Sequence, residues 1–577
     1  MFHYKELVPY FQRYKKIALL VPVLTVIEAL CETSIPFMMK YMVDKGLYKS
    51  DLPELVKIAL LMTVVSIAYI AVGGLSGHLG AVCVSGLSKN LRHALFQGIM
   101  YGNSSDNNRF SASSTLTRIT KDVNQVQNAV SMFRTVLRGP IVMFFAFGFA
   151  FHIDPQISMI FLLAIPIFSI LVLAITKISQ KYFRQAAIYY DDMNRVVLEN
   201  HRGIHLVKCF GLQGIETGLF IKKTEGLRNH QLWAETLAAI NNPLLQLISN
   251  FCIIGVLWFC KEKVTSGIIS TGGIISFISY ANQILYQILL IAMVLVPIAS
   301  AQVSCERILE ILKSDSRSDS GKDNSETADT NGNICLKHVY FDYAGDVEPQ
   351  ECLLRDICLE IPVGSSIGII GVTGSGKSTI LSLLGGKYPA TYGTIIEGNK
   401  VISEEGKNLA KADVAVVLQK NLLFTGTVRE NICFGKPDAK DDYMKNASKI
   451  ATSSDFVETL DDGYDSMVNA GGSNFSGGQR QRLCIARALT SGKKIILLDD
   501  CTSALDRKTE RRVADGLLKN VTATRVIASS KVSTVMNCDQ IAVLDKGKIC
   551  ALGTHRELYE NCHIYRQFCE SQKAGVS

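Results

Sequence analysis

The chain has 577 residues, which at roughly 150 residues per domain excludes a single small module. Hydrophobic residues make up 48% and charged residues 19%, and the mean hydropathy is +0.21, so the composition excludes a disordered protein and indicates a membrane part. The formal net charge of +8 is a surplus that membrane proteins facing the cytoplasm also carry, so no nucleic-acid partner is expected.

Sixteen cysteines are scattered singly from Cys31 to Cys569. They contain no CxxC pair and have no His-rich tract beside them, so their spacing predicts neither a zinc site nor a disulfide framework. Reduced and mostly buried thiols are expected instead.

Six apolar stretches before residue 300 are long enough to cross a hydrocarbon core of ~30 Å, which takes ~20 helical residues. With the N-terminus placed inside, the inner segments carry seventeen Lys and Arg residues and the outer segments four, which predicts cytoplasmic termini. Arg138 and Pro140 interrupt the third stretch. The stretches lie at 17–41, 55–80, 132–153, 157–178, 244–260 and 270–299.

Two inner loops, 81–131 and 179–242, lack a turn-rich or strand-rich pattern. We expect the helices to continue past the bilayer as stalks, although a small inserted domain in each loop is the alternative. Residues 313–332 are almost free of apolar side chains and indicate a linker. The predicted domains are therefore a transmembrane domain at 1–312, this linker, and a domain at 333–577.

After the linker, short apolar runs alternate with helical stretches, which is typical of an α/β domain with a largely parallel sheet. The glycine-rich loop 371–379 follows the apolar strand SIGII and precedes a helix, the context of a P-loop. In such a loop Lys377 reaches the β- and γ-phosphates, and Ser378 offers its hydroxyl to Mg²⁺. The predicted nucleotide-contacting residues of the loop are Thr373, Gly374, Ser375, Gly376, Lys377, Ser378 and Thr379.

Two further stretches narrow the choice among P-loop proteins. SNFSGGQRQR at 473–482 is predicted to open a helix, and IILLDD at 495–500 is predicted to be a buried strand that ends in two carboxylates. An aspartate at a strand end that faces a P-loop is the Walker B arrangement, in which Asp499 holds Mg²⁺ through water.

These motifs make the chain similar, over its full length, to ATP-binding cassette (ABC) half-transporters of the exporter fold. That resemblance implies a helical six-span transmembrane domain followed by an α/β P-loop nucleotide-binding domain, with ATP and Mg²⁺ as cofactors. It also implies that Tyr343 stacks on adenine and that Gln419 contacts Mg²⁺ and the reacting water, although each could be a plain surface side chain. The family's signature is matched by Ser476, Gly477, Gly478 and Gln479, and its D-loop by SALD at 503–506.

The chain departs from the family at two positions that act on the γ-phosphate. The family usually has Glu after the Walker B Asp, whereas Asp500 is one methylene shorter and should fall about an ångström short of the attacking water. The family's switch histidine aligns with Ser530. The predicted catalytic set is Asp500, Gln419 and Ser530, and it should hydrolyse ATP slowly.

In this family each ATP lies between the Walker motifs of one chain and the signature of the other. The signature of this chain is intact, whereas the residues at the general-base and switch positions are replaced, which predicts a heterodimer. The sequence resembles the degenerate-site subunit of bacterial heterodimeric multidrug exporters. A second half-transporter chain, the lipid bilayer and a hydrophobic small molecule are the expected partners. The resemblance also implies a multi-pass protein of a bacterial plasma (inner) membrane. It matches the segments 108–127 and 199–214 to coupling helices that dock on the cassettes, and a solvated charged helix in each segment is the alternative.

Substrate signals are few. Glu28 and Glu32 share one side of the first span, where they could attract a cationic substrate, pair with polar residues at the outer end of the span or pair with the partner chain. Aromatic and Met side chains along the sixth span could line a cavity or pack in the core: Phe277, Tyr280, Tyr286 and Met293. The alternatives left open are a lipid, peptide or siderophore transporter of the same fold and a regulatory subunit that does not hydrolyse ATP.

Overall fold

The computed structural model describes residues 3–101, 110–265, 269–316, 333–343, 347–397, 400–402 and 413–574. They form two compact units, the first ending at Ser316. The last helix of that unit runs four residues into the stretch predicted as a linker, and the rest of the stretch, 317–332, lies outside the described residues. The domain limits at 312 and 333 therefore stay predictions.

The first unit is helical. Its α-helices are α1 (Lys15–Tyr41), α2 (Leu52–Tyr101), α3 (Ala112–Thr117), α4 (Val123–Ile153), α5 (Pro155–Arg202), α6 (Ile204–Cys209), α7 (Gln213–Ala239), α8 (Asn241–Thr265) and α9 (Thr271–Ser316). A 3₁₀ helix covers His3–Tyr14, and short π-helical segments cover Met42–Leu47 and Arg118–Asp122.

Within the described part of the chain, six helical segments are long and apolar enough to cross a membrane, which confirms the six predicted spans. The predicted stalks are also confirmed, because several helices continue without a break far beyond a bilayer's thickness. α5, for example, has 48 residues and is about 72 Å long. The two segments compared with coupling helices contain the short helices α3 and α6, although residues 108 and 109 lie outside the described residues. Their docking stays a prediction.

An aromatic core lies where α1, α4, α5 and α9 meet. Phe277 packs on Phe161 with ring centroids 6.1 Å apart, and Tyr280 stacks on Phe149 at 6.5 Å. The Tyr280 hydroxyl donates to the carbonyl of Thr33, 3.0 Å away. Of the four side chains considered for a cavity, Phe277 and Tyr280 are thus core residues, whereas Tyr286 and Met293 are exposed.

The second unit is an α/β domain. Its strands are β1 (Ile334–Phe341), β2 (Leu354–Ile361), β3 (Ser366–Ile370), β4 (Tyr392–Glu397), β5 (Lys400–Ile402), β6 (Val414–Val417), β7 (Gly426–Thr427), β8 (Met467–Val468), β9 (Ile495–Asp499), β10 (Thr524–Ser529), β11 (Gln540–Asp545) and β12 (Lys548–Gly553). Its helices are α10 (Lys377–Leu384), α11 (Val428–Ile432), α12 (Asp441–Ile450), α13 (Ser454–Val457), α14 (Gly477–Thr490), α15 (Arg507–Asn520), α16 (Val532–Val535), α17 (His555–Asn561) and α18 (His563–Ala574). Short 3₁₀ turns cover Gly463–Asp465 and Ala470–Gly472.

Strand order explains how distant motifs meet. The larger sheet runs β12-β11-β3-β10-β9-β6, and β11, β3, β10, β9 and β6 are parallel to one another. The carboxyl ends of the parallel strands share one edge, where ligands of α/β sheets bind. A second, antiparallel sheet has the order β2-β1-β4-β5.

Candidate functional site

The glycine-rich loop begins where β3 ends, and β3 is buried along its whole length. A Cβ on Gly371 would collide with the carbonyl oxygen of Leu544, and Gly374 and Gly376 have φ angles of +85° and +105°. Because other residues rarely adopt such angles, glycines are required for the turn into α10. The turn leads directly into the first turn of α10, where backbone N–H groups lack helical partners and suit a phosphate.

Lys377 lies at the start of α10 and folds over the loop. Its Nζ donates to the carbonyl oxygens of Gly371 and Val372 at 2.8 and 2.9 Å. Burial lowers the pKa of Lys377, and the negative charges of Asp500 and Asp499 oppose this shift. The ammonium group is therefore held beside the loop and beside both carboxylates.

The structure brings together Ser378 and Asp499, two residues that the sequence assigns to Mg²⁺. The Ser378 hydroxyl donates to Asp499 Oδ1 at 2.9 Å, although 121 residues separate the two. Burial raises the pKa of Asp499, and the hydrogen bond from Ser378 opposes that rise. A hydroxyl and a carboxylate at this spacing fit the ligand preference of Mg²⁺ for oxygen.

Tyr343 follows β1, in the antiparallel sheet, and its hydroxyl lies 3.1 Å from the Thr379 hydroxyl of α10. The ring meets the edges of Phe341 and Tyr388, yet 58% of the residue is exposed. A face of the Tyr343 ring thus stays open beside the loop, where an adenine could stack.

In the glycine-rich loop itself, Thr373 and Gly374 are exposed. The Ser375 hydroxyl is buried without a hydrogen-bond partner among the described residues.

The three predicted catalytic residues follow neighbouring strands at the same sheet edge. Gln419 lies two residues after β6, Asp500 directly after β9, and Ser530 directly after β10. The Asp500 backbone has a φ of +45°, and its N–H donates to the carbonyl of Ala528 at 2.9 Å. The Asp500 Oδ1 atom is buried and has no hydrogen-bond partner in the described part of the chain. Gln419 and Ser530 are exposed, and their catalytic roles stay predictions.

The signature residues form the start of α14. Ser476 is the N-cap: its hydroxyl accepts from the N–H of Gln479 at 3.2 Å, and the Gln479 side chain accepts from the N–H of Ser476 at 2.8 Å. This capping box fixes the first turn and leaves Ser476 exposed, with Gly477 and Gly478 behind it. Such a helix start is suited to an anion, because its free N–H groups and dipole attract negative charge.

Gln481 was not singled out from the sequence. It is fully buried, and its amide donates to the carbonyl of Asp500 at 3.1 Å and accepts from the N–H of Ala504 at 3.0 Å. It thereby fastens the turn after β9 to the signature helix. The only hint in the sequence is a polar residue on the buried side of α14.

Glu510, in α15, was also missed. It is 4% exposed, and its carboxylate accepts from Ser533 and Thr534, each at 2.9 Å, and from Lys531 Nζ at 3.0 Å. These three donors belong to the segment that follows Ser530. Glu510 therefore holds in place the backbone that carries the switch position.

We expect Glu510→Ala to lower the free energy of unfolding of this domain by about 2 kcal/mol, because it leaves buried donors unpaired. For a domain of this size the apparent melting temperature should fall by about 4–8 °C, measured by thermal unfolding of the purified protein. The control is Glu560→Ala, which breaks an exposed pair with Arg556 and should change little. Equal effects of the two substitutions would contradict this role.

In the membrane domain, Glu28 and Glu32 are paired with arginines. Arg134 Nη2 donates to both carboxylate oxygens of Glu28 at 2.7 and 3.0 Å, and Arg138 Nη2 donates to Glu32 at 2.6 Å. Arg138 also donates to the hydroxyl of Tyr69 at 3.2 Å. In this structure each carboxylate is thus paired with an arginine of α4, as in the pairing alternative, and a role in attracting a cationic substrate stays a prediction.

Comparisons with known proteins account for both units. Residues 18–289 match the model of the ABC transporter transmembrane region, and residues 354–503 match that of the ABC transporter domain. The chain is 31% identical over 564 residues to the "uncharacterized ABC transporter ATP-binding protein YfiB" of Bacillus subtilis, covering 98% of this chain and 97% of the relative. It is 29% identical over 581 residues to the ATP-dependent lipid A-core flippase of Escherichia coli, covering 99% and 97%.

A solved structure of a bacterial Atm1-family ABC exporter with ATP bound superposes with a TM-score of 0.77 at 21% identity. It covers 97% of this chain and 98% of that one, so both units share its exporter fold. The six apolar helices and the bacterial relatives agree with a multi-pass inner-membrane protein, and the matched ATP-binding domain implies transport coupled to an ATPase. Because both family models and full-length relatives agree, the chain belongs to the ABC transporter family, as a half-transporter of the exporter fold.

Proposed function

We propose that this chain is one half of a heterodimeric exporter that moves small amphipathic molecules across the plasma membrane. Its own Walker motifs would form a weakly hydrolytic ATP site with the partner's signature. Its signature, Ser476 to Gln479, would complete a competent site on the partner's Walker motifs. The observation that carries this proposal is Asp500 in the position of the general base.

A shorter carboxylate can act as a base only if the backbone advances to bring it closer to the water. At Asp500 the backbone is held by its N–H bond to Ala528 and by the bond from Gln481 to its carbonyl. The φ of +45° already lies in a region that non-glycine residues rarely occupy. We infer that Asp500 cannot move forward by the missing methylene, a misplacement that can lower a rate about 100-fold.

Binding of Mg-ATP is proposed for the same site, because its binding parts are present. Ser378 and Asp499 would hold Mg²⁺ with Gln419, and Lys377 would contact the terminal phosphates. Mg²⁺, when bound, neutralises phosphate charge and aligns the phosphates for attack. Ser530 can offer a hydroxyl in place of the family's imidazole, but it cannot carry a positive charge. The site thus combines binding with slow hydrolysis.

The substrate class follows from charge. The Glu28 and Glu32 carboxylates are each neutralised by an arginine, so they provide no net negative site for a cation. The E. coli relative is named an ATP-dependent lipid A-core flippase, and a lipid is an amphipathic molecule. We therefore propose that the transported substrate is an amphipathic molecule that need not carry a positive charge. We also propose that the ATP-hydrolysing domain lies in the cytoplasm.

ATPase activity tests the proposal. We expect the purified chain alone to turn over about 100-fold more slowly than the chain co-expressed with a sister half-transporter that has Glu and His at the matching positions. In the pair, Asp500→Asn should change the rate less than twofold, because this site already contributes little. The matched substitution of the sister's glutamate should abolish turnover.

Robust turnover by this chain alone would mean that Asp500 suffices as a base, and the heterodimer would then be rejected. A large loss in the pair from Asp500→Asn would likewise contradict a weak site. Nucleotide binding serves as the control for an intact preparation: the Asp500→Asn variant should still bind nucleotide, since Lys377, Ser378 and Asp499 are unchanged.

A further inference from the structure

An exposed group of three unlike side chains lies on the antiparallel sheet of the nucleotide-binding domain. His338 Nδ1 is 2.7 Å from Asp356 Oδ1, and Cys358 Sγ is 3.6 Å from the same nitrogen and 3.9 Å from the same oxygen. All three atoms lie within 4.8 Å of one another. An imidazole, a thiol and a carboxylate therefore point to one small volume.

The backbone explains why these side chains converge. The pairing of β1 with β2 is interrupted by irregularities on both sides of the pair Val339 and Ile357. His338 and Asp356 occupy these interruptions and have φ angles of +48° and +53°. A β-bulge re-aims the side chain of its extra residue, so two bulges on adjacent strands can turn both side chains toward Cys358.

The bulge at His338 is supported by the neighbouring strand. A Cβ on Gly393, in β4, would collide with the carbonyl oxygen of His338, so only glycine permits this close approach. Val339 and Ile357, which separate the bulges, are fully buried and anchor both strands in the core. The three donors thus sit on a rigid scaffold rather than on a free loop.

The spacing fits a metal ion. Tetrahedral Zn²⁺ binds nitrogen and oxygen at about 2.0–2.2 Å and sulfur at about 2.3 Å, which sets its ligand atoms about 3.3–3.6 Å apart. The two distances to Cys358 Sγ, 3.6 and 3.9 Å, lie within a few tenths of an ångström of those values. The Nδ1–Oδ1 distance of 2.7 Å would have to widen by about 0.6 Å, which a small rotation of either exposed side chain provides. We propose that His338, Asp356 and Cys358 bind a Zn²⁺ ion, with water in the fourth position.

The donor set favours zinc over the magnesium of the nucleotide site. Thiolate and imidazole select borderline-soft metals, whereas Mg²⁺ and Ca²⁺ prefer oxygen ligands. The imidazole is 77% exposed and the carboxylate 50%, so an ion can enter without unfolding the sheet. Cys358 and His338 are 20 residues apart, a separation outside the usual zinc-ligand patterns, which explains why spacing alone predicted no zinc site.

Metal titration of the full-length chain, purified reduced and without a histidine tag, tests the site. Zn²⁺ added in competition with a chromophoric chelator should bind with one equivalent per chain. Cys358→Ser and His338→Ala should each weaken that binding at least about tenfold. The matched controls are Cys550→Ser and Cys209→Ser, which remove the other exposed thiols and should leave binding unchanged.

Co²⁺ provides a second readout, which identifies a thiolate among the ligands. Its thiolate charge-transfer absorption should appear with the wild-type chain and with Cys550→Ser, and should be absent with Cys358→Ser. The same loss in the Cys550 and Cys209 variants, or a wild-type chain that takes up no Zn²⁺ equivalent, would overturn the proposal. Neither readout involves ATP hydrolysis, so the result for the zinc site is independent of whether the chain forms a heterodimer.

Discussion

Replacing Gly477 by Asp in this chain should reduce ATP turnover of the assembled pair by about 100-fold or more. Gly477 is the first residue of α14, the helix start that the proposal places against the phosphates bound by the partner. A carboxylate there would oppose the phosphate charge and occupy its place. Losing one group that stabilises developing charge already costs about 100–1,000-fold in other enzymes, and the added negative charge acts in the same direction.

The structure predicts that this substitution leaves the fold intact. A Cβ on Gly477 would meet only the Ala504 side chain, at an ordinary 3.7 Å. Asp in the first turn of a helix is also favourable to the helix dipole. The thermal unfolding of Gly477→Asp should therefore match the wild type, and nucleotide binding to Lys377 and its loop should persist.

Gly477→Ala is the matched control, because it adds a Cβ without charge and should lose far less activity. ATPase assays of the co-expressed pair measure both variants. A Gly477→Asp pair that keeps most of its activity would show that this signature does not complete the competent site.

The nucleotide site could be predicted from the sequence because its parts are local. The loop from Gly371 to Thr379 carries its own strand, turn and helix, and two of its glycines, Gly374 and Gly376, have the positive φ angles that the turn requires. Asp499 could be added because an aspartate at a strand end that faces a P-loop is the Walker B arrangement, whereas Gln419 came only from the family resemblance. The geometry then agrees with the local pattern, as in the bond between Ser378 and Asp499.

Other features could not be predicted because they depend on register between distant elements. The pairing of Glu28 with Arg134 spans 106 residues and depends on how α1 packs on α4. Arg138 was visible in the sequence only as an interruption of a span. His338 and Cys358 meet because of two bulges whose positions no spacing rule gives. Gln481 bonds to the backbone of the turn after β9, and Glu510 bonds to side chains that follow β10, and both sets of contacts appear only once the helices are placed.

The second large effect is expected in the charged group of the membrane domain. Glu28→Gln should destabilise the protein by about 3–5 kcal/mol, because it removes one partner of a buried ion pair. The Glu28 side chain is 5% exposed, and it faces Arg134 directly and Arg138 at 3.5 Å. Thermal unfolding of the purified protein should show a lower midpoint. Glu225→Gln, at an exposed position on α7, should leave the midpoint unchanged.

The double variant Glu28→Gln/Arg134→Gln separates pairing from charge. Both positions then carry neutral amides that can hydrogen-bond, so most of the lost stability should return. Exchanging Glu28 and Arg134 is a poorer test, because α2 packs closely against position 28. Even a Cβ added at Gly73 of α2 would lie only 3.3 Å from Glu28 Oε1, so an arginine at position 28 would have little room. A double variant less stable than Glu28→Gln would contradict a simple pair.

Transport by the double variant then distinguishes a structural pair from a substrate site. If Glu28 and Arg134 serve only to hold α1 against α4, the double variant should export cationic and neutral amphipathic dyes at the same ratio of rates as the wild type. Selective loss of the cationic dye would mean that Glu28 exchanges its arginine for the substrate during the cycle. The ratio of the two export rates distinguishes these cases, because a loss of stability lowers the export of both dyes, whereas loss of a substrate-binding charge lowers only the export of the cationic dye.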